Sequence, residues 1–359
     1  MTDETAGTAT DPVVAAARAG EEAAFATLVE RHRWELQVHC YRMSGSFDDS
    51  EDLVQETLLR AWRNLAGFEG RSTFRAWLYR IATNACLDAI ARRPASRQVA
   101  AWADPAAPFP PAATIPWLQP YPSRLLEPSA PRADEPDATV IARETIELAF
   151  MVAIQHLPPR QRATLILRDV LGWRARDVAD ALGMTVAAAN SALQRARGTL
   201  RDRLPARRLE WPTQPGPTGE ERAVLAAYMA AIERADDAAL AELLREDIRV
   251  THQGGTGGNM SPEAATYSGR ATVIASWAPI LHAPDAPELR MEAVSANGQP
   301  ALASWIRMPG KSVWRAFDIV VVRIEAGAIA ELDVFPPDLF PTFRLPLTLD
   351  GGSAPAPVE

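Results

Sequence analysis

The chain has 359 residues, 47% of them hydrophobic and 23% charged, with a formal net charge of −8; this is apolar material for two or three domains and excludes a disordered polymer. No apolar run reaches the roughly 18 residues needed to cross a bilayer, and the start MTDETAGTATDP is unlike a signal peptide, so the expected location is the cytoplasm with no membrane partner. The two cysteines, Cys40 and Cys86, form no C-x-x-C pair or ligand spacing, which excludes a disulfide framework or a zinc site; His39 and Cys40, adjacent on a helix, point in different directions.

Residues 12–93 read as a helical domain. Apolar residues recur at helical spacing in three segments: Phe25, Leu28, Val29, His32 and Leu36; Val54, Leu58, Ala61, Trp62 and Leu65; and Phe74, Trp77, Leu78, Ile81 and Ala85. Such stripes are buried only against each other. The turn MSGSFDDSED offers Asp48, Asp49 and Ser50 to a helix N-terminus, and GFEGRST ends in a serine or threonine cap.

Residues 94–137 hold 11 of the chain's 30 prolines and read as an extended linker. Within it the island IPWLQPYPSRLL (115–126) carries Trp117, Leu118, Tyr121 and Leu125, which are expected to dock on a protein surface.

The next block, 138–208, is helical again and basic: from 155 to 208 there are eleven arginines against four aspartates. That concentration is the electrostatic footprint of nucleic-acid binding, because each neutralised phosphate releases counterions. In RARDVADALGMTVAAANSALQRARGTLR, Ala179 lets two helices approach, Gly183 supplies the positive φ of a sharp turn, Ala189 faces into the pair, and Thr185 caps the second helix. The pattern predicts a helix-turn-helix. Asn190, Ser191, Gln194 and Arg195 would reach base edges, with Arg197 and Arg201 on phosphates.

A second linker, 209–219, contains WPTQPGPTG (211–219) and precedes a domain over 220–347 of different period. Two helices, near 220–234 and 236–245, lead into strand-like runs IRVTHQ, ELRMEAVSA, PALASWIRM, WRAFDIVVVRIEAG and AIAELDVF, with turn signals at Asn297-Gly298 and Pro309-Gly310. After residue 219 there are eleven basic and nineteen acidic residues, so the acidity of the chain belongs to this part. The tail 348–359 reads as disordered.

The stretch DDSEDLVQETLLRAWRNLAGFEGRSTFRAWLYRIATNACLDAIARR (48–93), followed by LPPRQRATLILRDVLGWRARDVADALGMTVAAANSALQRARGTLR (157–201), resembles bacterial sigma factors of the extracytoplasmic-function group. The resemblance covers about residues 12–205 and implies a promoter-specificity subunit of RNA polymerase. On it, Asp52, Gln55, Glu56 and Arg60 would meet the β′ clamp coiled coil of the polymerase core. The loop 67–73, with Arg71 and Ser72, would receive a flipped base of the minus-ten element, and Arg80, Thr83, Asn84 and Asp88 would line the single strand. The basic block, with Arg174 and Arg176 beside the residues of its reading helix, would bind the minus-thirty-five element. The alanines 187–189 stand where the group often carries arginine.

The extension resembles SnoaL-like domains, cones of curved sheet with a pocket, and SANGQPALASWIRM, IEAGAIAELDVFPPDLFPTF and WLQPYP resemble the sigma factors that carry one; Ser123 stands where an acidic residue commonly follows WLQPYP. The implied fold is two all-α domains followed by an α+β cone. His252, Asp318 and Asp333 are candidate pocket groups, with Trp277, Trp305 and Trp314 as walls, but they form no catalytic motif. The expectation is a regulatory domain in intramolecular contact with the sigma modules, open to a small ligand, with no cofactor and no enzymatic activity. The loop HQGGTGGNMSPE is no phosphate loop and reads as a rim of the cavity. The alternatives are a SnoaL-like enzyme fused to a DNA-tethering module and a helix-turn-helix repressor; the clamp-like helix is surplus to the latter.

Overall fold

In this computed structural model residues 12–70, 72–94, 112, 115–126, 146–201, 217–256 and 263–350 are described, and they divide into a helical unit and a sheet unit. The sheet unit takes residues 112–126, 147–149 and 217–350; the rest form the helical unit.

The helical unit begins with α1 (Pro12–Arg18), α2 (Glu22–Ser44), α3 (Phe47–Asn64) and α4 (Phe74–Ala91). Leu28, Leu36, Val54, Ala61, Leu78 and Ala82 are buried where these stripes meet. The cap of α3 is Ser46, whose hydroxyl accepts from the Asp49 amide at 3.1 Å, leaving Asp48 and Asp49 in the first turn where they complement the helix dipole. Ser50, expected near the cap, is instead buried, donating to Phe47 O and accepting from Gln37. Thr73 caps α4. His39 is a core residue bonded to Thr83 at 2.9 Å; Cys40 and Cys86 are buried free thiols, and no metal-binding cluster exists among the described residues.

Five further elements follow, in the helical unit from Phe150 onward: α5 (Leu148–Gln155), α6 (Pro159–Leu165), a π-helical turn (Ile166–Val170), α7 (Ala175–Leu182) and α8 (Val186–Arg201). They meet α2 at its C-terminal end, where a helix leaves orphan carbonyls. Each is answered: Tyr41 O by the amide of Gly45 (φ 75°), Arg42 O by Gln155 Nε2 at 3.0 Å, Met43 O by Arg162 Nη1 at 2.5 Å, and Ser44 O by Arg93 at 3.1 Å. A side chain at Gly45 would lie 2.9 Å from Gln155 Cδ, so the close approach as well as the φ requires glycine there.

In the sheet unit, a capping box of Thr218 and Glu221 starts α9 (Gly219–Glu233), and Asp236 caps α10 (Asp237–Leu243). The strands are β1 (Leu244–His252), β2 (Ala265–Ser268), β3 (Glu288–Ala296), β4 (Gln299–Arg307), β5 (Trp314–Glu325), β6 (Ala328–Phe335) and β7 (Thr348–Leu349), with α11 (Arg270–Leu281) after β2. They form one mixed sheet in the order β2-β1-β6-β5-β4-β3, β7 pairing with β5; only β1 and β6 run parallel. Neither α11, which is apolar without a clear stripe or side-chain cap, nor the two short strands β2 and β7 is expected from the hydrophobic pattern. The N-G turn forms as expected: Asn297 and Gly298 both have positive φ (55° and 74°), joining β3 to β4 through two residues.

Alternation along the strands sorts their side chains. Val250 of β1, Leu302 of β4, Val320 and Val322 of β5, and Leu332 and Val334 of β6 pack with Leu225, Tyr228 and Ile232 of α9 and with Val273 of α11. The other face is buried too, at Ala303, Trp305, Ile319, Val321 and Phe335; there the 3-10 segment Pro337–Phe343 sets Phe340 edge-on against Trp305, ring centroids 5.0 Å apart.

The linker island docks within the sheet unit. Ile115, Leu118, Tyr121 and Leu126 are each at most 1% exposed. Tyr121 and Asn297 exchange two bonds: the Tyr121 amide donates to Asn297 Oδ1 (2.8 Å) and the Asn297 amide to Tyr121 O (2.7 Å). The Gly298 amide donates to Ser123 Oγ, Arg124 to Thr342 O, and Gln253 Nε2 to Leu118 O at 2.8 Å. Ser123, where the resembling sigma factors commonly have an acidic residue, thus accepts from the hairpin turn.

Candidate nucleic-acid interface and cavity

The helix-turn-helix is built as its sequence dictates. Gly183 ends α7 at φ 60°, Ala179 and Ala189 are buried between the helices, and Thr185 Oγ1 accepts from the Ala188 amide at 3.1 Å. Ala189, Ala192, Leu193 and Ala196 face inward on α8, so Asn190, Ser191, Gln194 and Arg195 stand exposed together on the outer face. Arg174, Arg176 and Arg201 are exposed as well. Arg197 is not a free phosphate ligand: both arms of its guanidinium hold Asp169, at 2.8 and 2.6 Å, because α8 passes beside the π-helical turn.

On α4, Arg80, Asn84 and Asp88 recur at four-residue spacing and form one exposed line, and Ser72 is exposed at the approach to the helix. Thr83 departs from the expectation that it lines a strand. Its place on α4 faces α2, where it is fully buried, donating to Tyr79 O at 2.7 Å and bonded to His39. Arg71 lies outside the described residues.

Along α3, Asp52 and Gln55 are exposed and Glu56 half-buried. Arg60 spans two groups that the sequence reading keeps apart, donating to Glu56 at 2.7 Å and to Asp88 of α4 at 2.8 Å. Beside Gln55 runs an apolar groove missed from sequence, formed by Phe25, Val29, Leu58, Leu59 and Trp62; Leu59 is 50% exposed. Trp62 belongs to the predicted core stripe, but at the end of α3 it lies at the surface against Phe25.

A buried polar centre supports α4 from within. Glu35 accepts from Arg75 Nε (2.6 Å) and Tyr79 Oη (3.2 Å) and pairs with His32 Nδ1 (2.5 Å). Burial alone would raise its pKa, but the His32 and Arg75 interactions outweigh it and hold the carboxyl below its usual value.

The sheet unit holds a half-open cavity of about 80 Å³. Its wall includes His252, Trp277 and Asp318, with Tyr228, Ser304 and Met291 in addition. Trp305 is not part of it. Leu302 and Ser304 of β4 face the cavity, so Trp305 points to the opposite side, where Nε1 donates to Pro346 O at 3.0 Å. The same parity removes Asp333, which lies between the cavity-facing Leu332 and Val334 and accepts from Thr251 at 2.5 Å. Trp314 instead stacks with the Arg307 guanidinium.

Asp318 is nearly inaccessible, and burial pushes its pKa up to about 7, opposed by a hydrogen bond from Ser304 directly across on β4. A carboxyl whose pKa is raised on folding binds a proton more tightly in the native state, so its contribution to stability falls as pH rises from about 4 to 7. Asp318→Asn is therefore expected to raise the melting temperature at pH 8 and to lose that gain near pH 4, as checked by thermal denaturation at both values.

The sequence matches the Sigma-70 region 2 model over residues 28–95, the Sigma-70 region 4 model over 147–200 and the SnoaL-like domain model over 225–332. It is 40% identical over 332 residues to the ECF RNA polymerase sigma factor SigG of Mycobacterium tuberculosis strain H37Rv, spanning 90% of this chain and 85% of that one. It is 31% identical over 188 residues to SigE of Mycolicibacterium smegmatis, covering 52% of this chain and 64% of that one. The crystal structure of the Mycobacterium tuberculosis extracytoplasmic function sigma factor SigJ shares its fold, with a TM-score of 0.55 over 90% of this chain and 99% of that one, at 23% identity. No helix among the described residues is long and apolar enough to cross a membrane.

Proposed function

The chain belongs to the extracytoplasmic-function group of RNA polymerase sigma factors, and from that premise we propose that α8 reads the minus-thirty-five duplex, that α4 reads the minus-ten strand, and that the SnoaL-like domain regulates both as a non-catalytic module. The observation that carries this reading is the outer face of α8. Two amides, a hydroxyl and a guanidinium (Asn190, Gln194, Ser191, Arg195) are exposed on a helix whose opposite face is fixed in the unit. Amide and guanidinium groups supply the paired donors and acceptors that major-groove base edges require. Arg201 at the helix end contributes phosphate attraction without sequence content. The alanines at 187 and 188 make this a modest reading surface. Polymerase and the minus-ten contacts of Ser72, Arg80, Asn84 and Asp88 supply the rest of the affinity.

Asp52, Gln55 and Glu56 on α3 would meet the β′ clamp coiled coil, with the adjoining Leu59 and Trp62 contributing apolar contact. In free protein Arg60 is held by Glu56 and Asp88, so polymerase docking and strand contact share one ion-pair network. Regulation would act through the connection between the two DNA-reading modules. The island at 115–126 lies between them in the chain, and its anchorage in the SnoaL-like domain shortens the free tether, which restricts the separations they adopt.

Promoter-directed transcription by the full chain with core polymerase tests this reading. Gln194→Ala or Arg195→Ala should cost about 1–3 kcal/mol against the preferred minus-thirty-five sequence and relax base preference. Arg201→Ala should weaken binding to all sequences and lower the salt slope by about one. Failure of the chain to direct transcription from any promoter by core polymerase would overturn the assignment of roles.

A further inference from the structure

The cavity of the SnoaL-like domain has an unusual balance of charge. Twelve of its sixteen wall residues are apolar, and the polar ones are Tyr228, His252, Ser304 and Asp318. No arginine or lysine lines it among the described residues, and the segment 257–262 contains none either. Asp318 is the one carboxyl, held on one side by Ser304; its Oδ1 is buried without a hydrogen-bond partner among the described residues. Such an atom carries an uncompensated desolvation cost. His252 supplies no counter-charge, because burial lowers its pKa and favours the neutral ring. Tyr228 is likewise kept neutral by burial and by the nearby Asp318 carboxyl.

The missing partner is therefore a donor, best a cationic one, that arrives from outside. An anion meets a carboxyl and no positive side chain. A hydrocarbon leaves Oδ1 as it stands. An ammonium group donates to Oδ1 and supplies the absent charge, while the faces of Tyr228, Trp277 and Phe317 are suited to a cation and its alkyl body. A water needs roughly 10–15 Å³, so a cavity of about 80 Å³ suits a buried group of a few heavy atoms. The acidic surplus of the domain favours cation entry.

We propose that this cavity is a binding site for a small, largely apolar monoamine whose ammonium group pairs with Asp318 Oδ1. Binding itself stands on the cavity; its use as a regulatory signal rests on the function proposed above. A route for the signal is present in β1, where His252 lines the cavity and the next residue, Gln253, holds the linker carbonyl of Leu118.

Isothermal titration of the full chain with cyclopentylamine, cyclopentanol and cyclopentanecarboxylate at pH 7.5 tests the proposal without polymerase. The amine is expected to bind at least tenfold more tightly than the alcohol, and the carboxylate not at all. Asp318→Asn, which keeps the volume and removes the charge, should abolish the preference for the amine. Met291→Trp, which fills the cavity, should abolish binding of both, and it serves as an independent check if the asparagine variant folds poorly. Equal binding of amine and alcohol, no binding of the amine, or a preference that survives Asp318→Asn would each overturn the proposal. Loss of promoter-directed transcription would leave this result intact, since the two assays share no component besides the chain.

Discussion

Arg162→Met is expected to destabilise the helical unit by about 3 kcal/mol. The guanidinium is fully buried and, in place of a carboxylate, gathers main-chain and amide oxygens: Ile154 O at 2.8 Å, Met43 O at 2.5 Å, Gln155 Oε1 at 2.6 Å, Gln155 O at 2.8 Å and Leu157 O at 3.2 Å. Burial draws its pKa down to about 9, which still leaves the side chain charged at neutral pH. Methionine matches the length of the stem but supplies no donor, so several buried carbonyls lose their partner. Each bond to a charged group is worth about 1.5–3 kcal/mol, and an unpaired buried carbonyl costs about 1–3. Recovering the desolvation of an unpaired guanidinium offsets part of the sum, which is why the net is placed near 3. The test is urea denaturation followed by helical circular dichroism, with amide exchange to localise the loss to the end of α2 and to α5 and α6. An unchanged midpoint would sink the account of this residue. Arg162→Lys should restore less than half of the loss, because an ammonium lacks the planar fork that spans these oxygens.

The second large effect is expected at the hairpin turn that grips the linker. Asn297→Ala should loosen the docked island by about 2–5 kcal/mol, read as faster amide exchange and earlier proteolysis over residues 115–126. Two causes add. Alanine at φ 55° pays about 1–2 kcal/mol for the left-handed backbone, and the buried Tyr121 amide loses its acceptor at a cost of about 1–3. Asn297→Gly separates them, since glycine accepts the φ and lacks only the side-chain bond; its effect should be about half that of alanine. If the island regulates the spacing of the DNA-reading modules, both variants should also change transcription from promoters of different spacer length, alanine more than glycine. Unaltered exchange over the island in Asn297→Ala would show that its anchorage lies elsewhere.

Several features of this protein were fixed by sequence alone because their causes are local. A helix must present its apolar stripe, so the three segments of the first block form helices. The sharp turn of the helix-turn-helix requires positive φ, and Gly183 adopts it. A two-residue hairpin with both φ values positive favours Asn-Gly, and Asn297-Gly298 forms it. The order of motifs at 48–93 and 157–201 is sufficient to expect the sigma family, because side-chain types at fixed offsets along two helices are themselves a local pattern.

What only the tertiary structure decided is which face of each element is covered, and by what. Alternation along β4 separates Ser304 from Trp305, but either could face a cavity until α9 and α11 cover one side of the sheet and Phe340 the other. Thr83 and Asn84 are neighbours of similar polarity; the packing of α4 on α2 buries the first and exposes the second. Arg60 and Asp88 stand 28 residues apart, Arg162 and Met43 119, Tyr121 and Asn297 176. Contacts at such separations form only when the whole chain has collapsed around its cores, and no periodicity within a single segment encodes them.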